Sequence, residues 1–173
     1  MTIRPLILLN DRALKGDNKL VETFDQNLQV LIDDMFETMY AEKGIGLAAP
    51  QIGINQQIVV MDVTPDRSAQ WCLINPKITF RAGEALLSEG CLSIPGVFDQ
   101  VKRALQVSVA AVDRHNKPFT IQRAEGLLAH CIQHELDHLA GKLFIEYLSK
   151  FKQERIRKKF EKTYRKHNHA KRA

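Results

Sequence analysis

Gln133-His134-Glu135-Leu136-Asp137-His138 is the stretch on which the reading of this chain turns. It lies inside an apolar run from Ala124 to Leu139 that reads as one buried helix, ended by Gly141. His134 and His138 are four positions apart, so both imidazoles leave one helical face a single turn from each other. Two neutral ring nitrogens so placed can share one divalent metal at roughly 2.0–2.1 Å, the range for zinc. Glu135 cannot join them as a third ligand, but it can stand beside a water at the open coordination position as proton acceptor. Two ordinary surface histidines would produce the same spacing. The flanks argue against that: Leu127, Leu128, Cys131, Ile132, Leu136 and Leu139 make the helix apolar, and buried imidazoles need partners.

The rest of the composition bounds the protein class. A length of 173 residues suits a single domain over 1–173 that buries roughly two thirds of its unfolded surface. With 45% hydrophobic and 26% charged residues the chain reads as globular, which excludes a disordered or fibrous protein. No run approaches the ~20 apolar residues a membrane span requires. Met1-Thr2-Ile3-Arg4-Pro5 shows no signal-peptide pattern, and three cysteines (Cys72, Cys91, Cys131) give no disulfide framework. A reducing cytoplasm is the expected location. Charge is unevenly spread. Lys150–Ala173 holds 11 Lys and Arg against two Glu, whereas the remaining body is mildly acidic, which bears on partners more than on fold.

Hydrophobic periods give the element order. Residues 1–20 show no sustained period. A helix capped by Thr23 or Asp25 carries Leu28, Leu31, Ile32, Met35, Phe36 and Met39 on one face and ends at Lys43-Gly44. Gln57–Val63 reads as a strand, and Cys72–Ile74 and Lys77–Phe80 as short strands around Pro76, with a turn at Arg81-Ala82-Gly83. Leu105–Val112 and Pro118–Gln122 form a hairpin, and Leu143–Ile145 a last strand after the central helix. The expected fold is α+β: short antiparallel sheets around a central metal-binding helix, with an N-terminal helix and a basic C-terminal helix over 148–173.

A catalytic metal site needs a third protein ligand. A further histidine at the position of Phe144 would complete one known pattern and is absent. Glu161 sits in the basic tail with no element to fold it back. Cys131 lies seven residues before His138, about 10 Å of helical rise, too far for a short side chain. Cys91 remains, in Glu89-Gly90-Cys91-Leu92-Ser93-Ile94-Pro95-Gly96, a shaped segment able to aim one thiolate. A buried structural cysteine is the competing reading there.

Gly44-Ile45-Gly46-Leu47-Ala48-Ala49-Pro50-Gln51 contains the Gly-x-Gly-x-x-Ala pattern of dinucleotide sites. It follows a helix instead of a strand, and Pro50 and Gly53 forbid an immediate new helix, so the cofactor reading is rejected. An extended, small-residue segment with the Gln51 amide could instead line a cleft and bind a peptide edge-on.

Three blocks, Gly44–Gln51, Glu89–Ser93 and Gln133–His138, occur in this order with compatible chemistry, and with them the chain resembles the bacterial-type peptide deformylases. The resemblance implies a metal-dependent hydrolase that removes the formyl group from the amino-terminal formyl-methionine of nascent polypeptides and releases formate. It implies Cys91, His134 and His138 as ligands of Fe²⁺, with Zn²⁺, Ni²⁺ or Co²⁺ as substitutes. Glu135 would be the general base, and the Gln51 amide and Leu92 backbone N–H would be the oxyanion donors. It also implies a substrate pocket of Ile45, Gly46, Leu87, Gly90, Leu127, His130 and Cys131, with Arg103 near its mouth. Leu87, Leu127, His130 and Cys131 would surround the methionine side chain, and Gly46 and Gly90 would offer backbone hydrogen bonds. Peptide hydrolysis by the same water is the rival activity.

The chain departs from the family pattern at His130, where an aliphatic residue is usual. From Leu148 to Lys166 the tail reads as an amphipathic helix with Phe151, Ile156, Phe160 and Tyr164 roughly on one face. The resemblance implies contact between this basic helix and ribosomal RNA; a monomer without membrane association is expected.

Overall fold

The computed structural model describes residues 2–170, with side chains described up to residue 162. Its elements are α1 (Gln26–Ala41), β1 (Gly46–Ala48), β2 (Ile58–Met61), β3 (Trp71–Ala82), β4 (Ala85–Cys91), β5 (Ile94–Arg103), β6 (Gln106–Val112), β7 (Pro118–Glu125), α2 (Gly126–Leu139) and α3 (Lys150–Ala170). Five strands form an antiparallel sheet in the order β1-β2-β3-β6-β7, and β4 pairs with β5 as a separate two-stranded sheet. This is the α+β architecture the sequence implies.

The larger sheet is covered on both faces, which explains why β2 reads as a continuous apolar run. Ile58 and Val60 join Ile74 and the α1 face (Leu28, Ile32, Met35, Met39) in one core. Val59 and Met61 alternate to the other face and join Leu73, Val107 and Val109 against Ala129, Cys131, Ile132 and Leu139 of α2. Each such fully buried aliphatic side chain stabilises by about 1.5–3 kcal/mol. A third core holds the β4–β5 hairpin: Ile94 and Val101 pack with Leu9, Leu14, Phe144, Ile145 and, from α3, Ile156 and Phe160. α2 is therefore wedged between the sheet and the hairpin. Its far end is fixed by the N-terminal segment, where the buried Asn18 amide donates to the Leu139 carbonyl at 2.9 Å.

Asp34 ties the same N-terminal segment to α1. It is buried on α1 and accepts from Thr2 N at 2.7 Å and from Arg4 Nε and Nη2 at 3.0 and 2.7 Å. Burial alone would raise its pKa, but the Thr2 amide and Arg4 overcome it and hold the carboxyl below its ordinary value. Its stabilisation is therefore present above the unfolded-state value and lost as pH falls through the lowered folded one. Asp34→Asn should cost about 1–2 kcal/mol at pH 7, a modest figure because Arg4 is partly exposed and screened. The deficit, read from urea midpoints, should shrink below pH 4.

Several sequence readings are corrected. Lys77–Phe80 and Cys72–Ile74 are parts of one twelve-residue strand, broken only by register shifts on either side of Lys77-Ile78. The turn comes later than expected, at Gly83-Glu84, since Arg81 and Ala82 still pair with β6. Ala49–Ile52 forms a single 3-10 turn with Pro50 inside it; proline lacks only an N–H that a first turn leaves unpaired anyway. Ala124 and Glu125 belong to β7 and not to the helix. Leu143–Ile145 is no strand: Phe144–Tyr147 is a buried 3-10 turn, whose apolar residues face a core without pairing. Phe151 is 75% exposed and off the packed face of α3, while Tyr164 lies outside the described side chains.

Candidate metal centre

Cys91 ends β4, and local irregularity aims it. Glu89 and Gly90 pair with Asp99 and Phe98, but Cys91 pairs with Ile94, so Pro95, Gly96 and Val97 bulge out of the ladder. That bulge releases Cys91 from the flat sheet and turns it to α2. The result brings three donor atoms together: Cys91, His134 and His138 offer one ligand atom each, all within 4.8 Å of one another. Cys91 Sγ lies 3.3 Å from His138 Nε2.

Glu89, almost fully buried, organises the surroundings. Its Oε2 lies 2.9 Å from His134 Nδ1 and accepts from Arg103 Nη2 at 3.0 Å; its Oε1 accepts from Arg103 Nε at 2.5 Å and lies 2.8 Å from His130 Nε2. An ionised carboxylate only accepts, so Nδ1 of His134 carries the hydrogen and Nε2 keeps its lone pair for a cation. Burial opposes that ionised state, but His130, His134 and Arg103 together hold Glu89 far below the ordinary carboxylate range. Arg103 also donates to Asp137 Oδ2 at 2.6 Å, which links the hairpin to α2 a second time.

The electrostatics suit a bound cation. Burial, together with its neighbour His134, pushes His138 well below the ordinary imidazole value and leaves it neutral, as a ligand must be. His134 is raised despite burial, because Cys91 and Glu89 favour positive charge there. A thiolate and two imidazoles form a borderline-soft set suited to Fe²⁺ or Zn²⁺. The residues fit the ion that the sequence suggests.

Glu135 is buried beside this triad, and burial pushes its carboxyl up to about 7, with Glu89 and Asp137 adding to the rise. A divalent cation next to it would pull that value down again. Its Oε2 has no hydrogen-bond partner among the described residues. β1 can approach this carboxylate only because residue 46 is glycine: a Cβ there would collide with Glu135 Oε1 and Cys131 Sγ. Gln51 is held from the other side. Its Oε1 accepts from Ala48 N at 2.8 Å, which turns Nε2 towards Cys91 Sγ at 3.7 Å and Ser93 Oγ at 3.3 Å. Leu92 sits in the turn after Cys91, outside the strand pairing.

These groups open into a cleft of about 460 Å³. Ile45, Gly46, Gly90, Leu127, His130 and Cys131 line it with Gln51, Cys91, Leu92, His134 and Glu135. Burial raises the Cys131 thiol, whose S–H points to the Ile45 carbonyl at 3.6 Å, so it is a wall and not a ligand. Two expected pocket residues are placed elsewhere. Leu87 is absent from the cleft lining, and Arg103 is buried under Tyr147, where it borders a separate, wider groove on the other face of α2. Sequence reasoning missed Phe98, an exposed ring packed over Gly90 at the cleft rim. It also assigned Glu89 no role.

The sequence matches the polypeptide deformylase family over residues 3–154. The chain belongs to that family. It is 48% identical to a peptide deformylase from Legionella pneumophila, with a TM-score of 0.92 over 96% of this chain and 98% of that one. A Synechococcus elongatus peptide deformylase solved with actinonin is 44% identical, with a TM-score of 0.85 over 90% and 86% of the two chains. An Ehrlichia chaffeensis peptide deformylase, also solved with actinonin, is 39% identical, with a TM-score of 0.90 over 94% and 98%. Members of the family are metal-dependent hydrolases that remove the N-formyl group from nascent polypeptides, and this chain is such an enzyme.

Proposed function

We propose that Cys91, His134 and His138 hold the catalytic metal of this deformylase, Fe²⁺ in the cell with Zn²⁺, Ni²⁺ or Co²⁺ as substitutes. The observation carrying this reading is the convergence of three donors within 4.8 Å, two of which, Cys91 and His134, line a cleft that the buried Glu135 carboxylate also borders. When bound, such a metal supplies Lewis acidity and makes an adjacent water easier to deprotonate. Glu135 takes a proton from the attacking water and later returns it to the departing amine; a carboxyl that burial pushes towards neutrality suits both roles. The Gln51 amide, already oriented by Ala48 N, and the Leu92 N–H donate to the oxygen on which negative charge grows. Loss of one such donor typically costs about 3–4 kcal/mol of barrier. Ile45, Gly46, Gly90, Leu127, His130 and Cys131 form the substrate pocket, with Gly46 and Gly90 donating or accepting along the peptide backbone.

Formate release from a formyl-Met tripeptide by anaerobically prepared protein, with metal content measured alongside, tests the proposal. Cys91→Ser should lower both metal content and turnover. Full activity in a Cys91→Ser protein that still binds one equivalent of metal would remove Cys91 from the ligand set. Unformylated peptides should not be cleaved; their cleavage would favour a general metallopeptidase.

The proposed setting is the cytoplasm, as a monomer acting on nascent chains. Among the described residues no helix is long and apolar enough to cross a membrane. α3 packs through Ile156 and Phe160 and leaves Glu154, Arg155, Lys158 and Lys159 on its exposed side, in a tail of strong positive charge. That charge supports contact with ribosomal RNA. Co-sedimentation with ribosomes should weaken steeply with salt and disappear when 150–173 is deleted. Unchanged binding by the shortened chain would rule the contact out.

A further inference from the structure

Four apolar side chains border the cleft without joining any of the three cores: Ile45 before β1, Pro95 and Phe98 on β5, and Leu127 on α2. Phe98 is 73% exposed, Leu127 50% and Ile45 40%. Single apolar residues at a surface are ordinary, but four from three parts of the chain around one opening mark a contact site. The hairpin places the Phe98 ring. Its neighbour Asp99 turns to α3, where Lys152 Nζ donates to it at 2.8 Å, so Phe98 projects from the other face. Opposite it in the ladder stands Gly90, and the ring lies against that backbone in the space a Cβ would fill. The exposed charges bordering the cleft, Glu42 and Lys43, are opposite in sign and give the mouth no net preference for an ion.

We infer that Phe98, with Ile45, Pro95 and Leu127, forms a specificity-determining rim that favours an apolar side chain at one of the two positions following the formyl-methionine. The inference rests on the deformylase reading of the cleft and adds to it the class of nascent chain that is processed best. A peptide that hydrogen-bonds Gly90 runs beside the ring resting on Gly90. With methionine seated deeper, the next one or two residues come level with the rim, since an extended chain advances about 3.3 Å per residue. An aliphatic or aromatic side chain there covers the ring, and both surfaces leave water. A carboxylate at the same place sheds part of its hydration and finds no hydrogen-bond donor on the ring.

The test compares kcat/KM of the metal-loaded protein for formyl-Met peptides with leucine or aspartate at the second or the third position. Leucine should be preferred at least fivefold at one of these positions, through KM, with kcat little changed. Phe98→Ser should bring that ratio near one, Phe98→Leu should keep it, and Phe98→Lys should turn it towards aspartate. The lysine and leucine variants carry the comparison should the serine variant fail to fold. Equal KM for leucine and aspartate at both positions in the wild type overturns the inference and leaves the activity standing. So does a wild-type ratio in folded Phe98→Lys; the ring then only covers Gly90, and its loss shows in the urea midpoint alone. Failure of the wild type to release formate from any of the peptides overturns the activity, and the inference with it.

Discussion

Glu135→Gln should abolish nearly all turnover while the protein keeps its metal. The substitution preserves shape and leaves Cys91, His134 and His138 untouched, so the metal content of purified variant should match the wild type. The amide cannot accept the proton of the attacking water or return it to the amine. General acid–base catalysis contributes about 10²–10⁴-fold, and kcat should fall by that factor with little change in KM. The stability effect runs the other way. A carboxyl whose folded pKa is pushed up to about 7 penalises the folded state increasingly as pH rises from its unfolded value to the folded one. In chelated protein the variant should therefore unfold at higher urea than wild type at pH 7–8, with the difference vanishing near pH 4. A variant with a large residual rate, or one that loses its metal, would take the proton transfer away from Glu135.

Arg103→Met should be the most destabilising single change outside the apolar cores. Arg103 and Glu89 are almost completely buried, and Arg103 also carries the link to Asp137. Removal of the cation leaves Glu89 charged in a site from which water is excluded, which typically costs about 3–5 kcal/mol. His130 and His134 still face the carboxylate, so the lower end of that range is expected. Loss of Arg103 raises the folded pKa of Glu89. The deficit is then largest at neutral pH and shrinks as Glu89 takes up a proton on acidification. Glu89→Gln combined with Arg103→Met should recover part of the loss, and a double-mutant cycle on unfolding free energies measures the coupling. Strict additivity would mean that the two side chains do not act as a pair.

These expectations show which parts of the molecule the sequence could reveal. Periodicity found α1, β2 and α2 because each buries a repeating apolar face, and the Asp25 cap is local chemistry that a short window displays. The triad was legible because two histidines four apart on an apolar helix leave few innocent explanations, and Cys91 sat among residues that bend a chain. The β4–β5 hairpin was not legible. Its strands alternate exposed and buried positions only weakly, and a three-residue bulge spoils the register. Glu89 and Arg103 are fourteen positions apart, and nothing local announces that a charged pair so spaced closes inside a core. The 3-10 turn at Phe144–Tyr147 looked like a strand because a short apolar run carries no period of its own.

The sulfur donor and the two imidazoles belong to different parts of the fold: Cys91 to the separate two-stranded hairpin, the histidines to the helix against the main sheet. An ion gripped by all three would fasten those parts across a loop of roughly forty residues, an effect that chain-entropy reasoning for a disulfide puts at about 4 kcal/mol. In a reducing compartment, where a cystine bridge would be undone, such a clasp offers comparable bracing. Oxidation of that single thiolate would then slacken the architecture as well as silence the chemistry.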